Sequence, residues 1–128
     1  MSLLNRIIRT HILAMGCITC ISTPMSMAKD GAGHYSIMGL GNNSCAAYVH
    51  EYASNAAYYL SWLAGYMTAY NFTNEDTYSI FSDSKDVMQI ETWLLDYCKF
   101  NSEESFEQAA QSLIRNMKYF RLRSKPHS

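Results

Sequence analysis

Three groups of side chains in this sequence are of the types that catalysis uses. His50 and Glu51 stand side by side, Asp83 and Asp86 are three apart, and Glu103, Glu104 and Glu107 gather in EESFE. Catalysis needs a nucleophile with a base, a metal cluster, or paired carboxylates of tuned acidity. Adjacent residues on a helix project about 100° apart, so His50 and Glu51 do not face each other, and helical phase leaves His50 a surface histidine. Asp83 and Asp86 fall where a helix should begin and are accounted for by capping. The EESFE acids read as partners of a helix dipole on a solvated face. The sequence holds no glycine-rich phosphate loop, HExxH, GxSxG or zinc-ligand spacing. These residues predict a protein that is not an enzyme and has neither cofactor nor metal.

The N-terminal residues 1–28 have the form of a secretory signal. Arg6 and Arg9 precede the apolar run ILAMGCITCIS, Pro24 ends it, and Ser26 and Ala28 put small residues three and one before a cut after Ala28. The run is short of the roughly 20 residues that span a bilayer, which favours a cleaved signal over an anchor. A lipoprotein on Cys17 or Cys20 lacks a leucine-rich lipobox. The expected address is the periplasm, with no stable membrane insertion after cleavage. Of 10 cations, Arg6 and Arg9 would leave while all 11 acids stay, so the formal charge moves from -1 to -3. That balance does not advertise a nucleic-acid partner.

Cys45 and Cys98 would then remain in a compartment where thiols oxidise. A metal site and a redox site compete with a structural disulfide. The wide separation, the lack of CxxC and the few histidines left, His34, His50 and His127, favour the disulfide.

At 128 residues the chain makes one domain. Its 16% charged content is below the ~25% typical of soluble proteins, while 48% apolar content is ordinary. Residues 29–43 hold four glycines without a period and read as a flexible leader. The domain proper covers residues 44–120. Ser44 can cap a helix over residues 45–71, in which Cys45, Tyr48, Val49, Tyr52, Ala56, Tyr59, Leu60, Leu63, Met67 and Tyr70 recur at spacings of three and four. Ser54 and Asn55 mark the place for a bend. Residues 72–84 read as a loop, and a second helix over residues 85–99 follows, capped by Ser84. A third helix, residues 103–120, is capped by Ser102 and turns Phe106, Ala109, Ala110, Leu113, Ile114, Met117 and Phe120 inward. Short linkers make an all-α bundle of three to four helices. Residues 121–128 form a basic tail. With Arg115 and Lys118, its Arg121, Arg123 and Lys125 read as a solvated, dipole-complementing cluster or as a surface for an anionic partner.

The first helix is the anomaly. Residues 42–71 carry six tyrosines and a tryptophan, but Glu51 is the one charged side chain. Tyr58, Trp62 and Tyr66 lie on a flank separate from the core phase, at spacings of four. Either the helix is central and covered nearly all round, or these three, with Trp93, form a partner-binding surface of the kind Tyr and Trp favour.

SCAAYV, YLSWLAGYMTAYN and VMQIETWLLDYCKFNSEESFEQA together resemble the periplasmic HdeA/HdeB acid-stress chaperones over residues 44–117. The family has a signal peptide, a small helical fold and one disulfide, at positions matching Cys45 and Cys98. The resemblance implies a dimeric reserve that loosens in acid and exposes apolar surface to unfolding client proteins. GYMTAYN and QAAQSLI are also similar to helical immunity proteins that neutralise secreted periplasmic amidases. A third reading is an accessory subunit of a cell-envelope complex.

Overall fold

The computed structural model describes residues 29–81 and 87–126. The segment read as a signal, with Cys17 and Cys20, the residues Asp83, Ser84 and Asp86 expected to start a helix, and His127 lie outside the described residues. The chain divides into two units, residues 1–34 and 35–128. In the first, Asp30 accepts hydrogen bonds from the backbone N–H groups of His34 at 2.7 Å and Ala32 at 2.9 Å. These bonds, that of His34 foremost, hold its carboxyl below the usual carboxylate range.

The second unit is a small helical bundle tied by one disulfide. Its helices are α1 (Cys45–Thr73), α2 (Val87–Phe100) and α3 (Phe106–Met117), and 3-10 turns cover Gly39–Asn42 and Lys118–Phe120. The 29 residues of α1 make a rod about 43 Å long. It runs unbroken through Ser54 and Asn55, because both side chains bond back one turn: Ser54 Oγ to the Glu51 carbonyl and Asn55 Nδ2 to the Glu51 carboxylate. The Ser44 side chain accepts from Ala47 N–H at 3.1 Å, as expected of an N-cap. Asn74 ends α1 by donating both its backbone N–H and its side-chain amide to the Tyr70 carbonyl. Asn101 ends α2 on the Tyr97 carbonyl in the same way.

The third helix starts later than its sequence suggests. Ser105, not Ser102, is the cap, in a capping box with Gln108, whose side chain returns to the Ser105 N–H at 2.8 Å. Glu103 and Glu104 therefore precede the helix. Its far end tightens into the 3-10 turn, which leaves Phe120 60% exposed and not inward.

One end of the bundle gathers the starts of α1 and α3 and the end of α2. Helix starts leave backbone N–H groups without intrahelical partners. Here two segments of the chain supply each other: Cys45 N–H donates to the Glu104 carbonyl at 2.7 Å, Ala46 N–H to Ser102 at 3.0 Å, and Phe106 N–H to Asn43 at 2.8 Å. The Cys45–Cys98 disulfide adds α2 to the same junction, across 4.7 Å between Cα atoms. Just inside it, the rings of Tyr48, Tyr59 and Phe106 sit 4.8 to 4.9 Å apart and are fully buried, with Leu94 and Leu113.

At the other end, Ile80 is fully buried and its N–H donates to Asn71 Oδ1. Residues 78 and 79 pair with Leu122. Arg121 donates to the Asp76 carbonyl and Arg123 lies 3.6 Å from its carboxylate. The tail is thus fastened at its start to the loop after α1.

Closing a 53-residue separation should be worth about 4 kcal/mol on the chain-entropy model. Urea unfolding of the oxidised protein and of a Cys45→Ala/Cys98→Ala variant should differ by about that amount. A difference under ~1 kcal/mol would mean that the reciprocal backbone bonds alone hold the junction.

Candidate functional site

The polar interior lies where residues 35–42, α1 and α3 meet. Glu107, at the second position of α3, is 2% exposed. It is no part of a solvated face. Its Oε1 accepts from Tyr66 Oη at 2.6 Å, from Gln111 Nε2 at 2.7 Å and from Tyr35 Oη at 3.0 Å. Gln111 also donates to the Tyr35 hydroxyl. The carboxylate thus clamps three pieces of chain, and it stands at the positive end of the α3 dipole. Among the described residues, the ion pairs join His34 to Asp30, Lys99 to Asp96 and Arg123 to Asp76. None reaches Glu107.

The leader read as flexible is, from Tyr35 onward, a strap. Trp62 Nε1 donates to the Met38 carbonyl at 2.7 Å. The Trp62 ring fills the space in which a side chain on Gly41 would sit, since a Cβ there would run into it. Gly39 turns the chain over the same ring with a left-handed φ of 64°, which favours glycine. Asn43 closes the strap by donating to Tyr59 Oη, which donates in turn to Glu51. The glycines are there to let backbone lie flat on an indole.

These contacts separate the four residues assigned to a partner surface. Trp62 and Tyr66 stack on each other at 5.2 Å, half-buried. Tyr58 is 69% exposed, outside the strap. Trp93 stacks on Tyr97 at 5.0 Å, and among the described residues it has no ring contact with the other three. Tyr97 belongs to a second polar chain: Arg115 donates to Ser112, Ser112 to Tyr97, and Tyr97 to Glu104 at 2.8 Å. His50 is exposed, and the neighbouring Glu51 carboxylate is engaged with Asn55 and Tyr59.

Between strap and α1 lies an open groove of about 400 Å³, whose walls include Tyr35, Ser61, Trp62, Gly65, Tyr66 and Glu107. Among the described residues no cluster of His, Cys, Asp and Glu could hold a metal ion, and no helix is long and apolar enough to cross a membrane. Glu107, Tyr35, Gln111 and Gly41 were not among the predicted site residues. Glu107 could have been found: with Ala110, Gln111 and Ile114 it makes the i, i+3, i+4, i+7 pattern of a buried face. Comparison with known proteins yields no match, whether with a family model, a curated protein or a solved structure.

Burial, and after it the hydrogen bond to Glu107, pushes the phenols of Tyr66 and Tyr35 above the usual tyrosine range. Tyr48 is raised by burial and then by the nearby Tyr52 and Glu91. Tyr59 is raised by burial against the opposing Asn43 bond.

A phenol whose folded pKa is raised contributes stability that is complete below the unfolded value of about 10 and is lost as pH climbs through the folded one. Stability to urea should hold level on the alkaline side of neutrality and fall above about pH 10, together with the rise of phenolate absorbance. A level midpoint beyond full tyrosine ionisation would refute the coupling.

Gly41→Ala should lift the strap, cost roughly 1–3 kcal/mol, and shift the tryptophan emission to the red. Unchanged emission would show that the strap does not shield Trp62.

Proposed function

We propose that this chain is a non-enzymatic periplasmic protein-binding domain of the acid-stress chaperone type, binding unfolding proteins through aromatic surface that its strap covers at neutral pH. The carrying observation is the use of carboxylates as acceptors for tyrosine hydroxyls between different pieces of chain. Glu107 takes Tyr35 from the strap and Tyr66 from α1, and Glu104 takes Tyr97 from α2. Within α1, Glu51 takes the Tyr59 that receives Asn43. Hydrogen bonds to an ionised carboxylate are roughly twice as strong as neutral ones, and protonation removes that advantage.

The groups facing Glu107 are Tyr35 and Tyr66, with Gln111 from its own helix. All three are neutral, and among the described residues no cation pairs with this carboxylate. Once it is protonated, the strap keeps the Trp62 to Met38 bond and loses its charged clamp. Trp62 and Tyr66 then join side chains already outside, among them Tyr58, Phe72 at 91% exposure and Phe100 at 88%. The disulfide limits how far the chain opens. This mechanism is of the kind that the family resemblance over residues 44–117 implies, and it would let a chain poor in charge respond to acid.

The test is aggregation of an unfolding client at pH 2 to 3 and at pH 7, with sedimentation at both values. Protection confined to acid is expected for the wild type, and Gly41→Ala should protect at pH 7 as well. A wild-type protein that stays folded and inert at both values would sink the proposal. A permanent partner, such as the toxin of an immunity protein, would then be the reading to pursue.

A further inference from the structure

The groove beside the strap has the composition of a site for a small organic cation. All three hydrogen bonds to Glu107 land on Oε1, and among the described residues none lands on Oε2. No lysine, arginine or histidine among them pairs with the carboxylate. A buried charge calls for a counter-charge or a full set of hydrogen bonds. Oε2 has neither among the described residues, yet it is not one of the sealed atoms left without a partner, so it opens onto the groove whose wall Glu107 helps to form.

The rest of the wall suits the same ligand. Tyr35, Trp62 and Tyr66 supply aromatic rings beside the acid, and ring faces attract cations. Gly65 leaves one side open, for a Cβ built there meets nothing within 4 Å. At about 400 Å³ the space fits a small molecule and not a folded partner. An anion would meet Glu107, and a neutral alcohol would gain little from it. A protonated amine donates to Oε2 and lays its alkyl chain against the rings.

We propose that the groove between the strap and α1 binds the ammonium head of a small alkylamine, with Glu107 Oε2 as its acceptor and Tyr35, Trp62 and Tyr66 as its walls. Such a ligand would bridge strap and helix at neutral pH. The site does not depend on any response to acid.

Titration calorimetry on the oxidised mature protein at pH 7 tests this, with butylammonium chloride as the probe and 1-butanol and sodium butyrate as isosteres at matched ionic strength. Saturable one-to-one binding of butylammonium is expected, at least ten-fold tighter than 1-butanol, with no butyrate binding. Glu107→Gln should weaken it ten-fold or more. Gly65→Leu should do the same by filling the groove from an exposed helix position, without touching the hydrogen bonds of the clamp. Equal binding of 1-butanol, or full binding to Gly65→Leu, would overturn the site. Should Glu107→Gln fail to fold, Gly65→Leu decides alone. Nα-acetyl-lysine N-methylamide, with its side-chain ammonium free, binding ten-fold tighter than butylammonium would overturn the small-amine assignment in favour of a protein side chain.

Discussion

The reciprocal bonding of two helix starts is the constraint on which the rest of this structure depends. A helix cannot satisfy its own first N–H groups, and burying them unpaired costs on the order of 1–3 kcal/mol each. This chain uses the backbone just before α3 to serve α1, and the Asn43 carbonyl, two residues before α1, to serve α3. The arrangement works only if both helices start at the same place and the flanking chain lies extended, as Ser44 and Ser105 do in their mutual bridge. The disulfide between Cys45 and Cys98 is the covalent statement of the same junction, since it pins the end of α2 to the first residue of α1.

From that junction the position of the strap follows. Asn43 is held by its carbonyl to Phe106 and by its side chain to Tyr59, so the residues before it must leave along the seam between α1 and α3. The seam is lined by the stacked rings of Trp62 and Tyr66, and backbone lies flat against the indole. Gly39 and Gly41 provide that stretch, and Tyr35 anchors its far end on Glu107. A carboxylate at this depth is tolerable because it meets three donors and the start of α3 together.

The helices and the disulfide were legible in the sequence because they rest on local signals. The apolar period of Tyr48, Tyr59, Leu63 and Met67, the cap at Ser44 and two cysteines well apart are readable without knowing the fold. The cap of α3 was misplaced by three residues because SEES offers two serines, and only the bridge to Ser44 selects the second. The strap was not legible at all, since glycine reads as freedom when no partner is in view. What restricts Gly41 is an indole 21 residues away, and sequence carries no sign of that contact. Glu107 was misread for a related reason: an acid in a first turn has a ready explanation on the surface, and the tyrosines that bury it come from distant positions.

The choice of tyrosine as the partner of these carboxylates lets them be held by neutral donors. A buried acid paired with arginine keeps its donor at every accessible pH, because guanidinium does not titrate in proteins. An acid paired with tyrosine has a donor that titrates, since alkali removes its proton and sets two anions together. Such a clamp weakens toward alkali, and no cation is needed to build it. Four of the tyrosines meet a carboxylate through their hydroxyls: Tyr35 and Tyr66 at Glu107, Tyr59 at Glu51, and Tyr97 at Glu104. In α1 the phenols of Tyr59 and Tyr66 join this interior of neutral donors around a few acids, while the buried Tyr48 hydroxyl has no hydrogen-bond partner among the described residues.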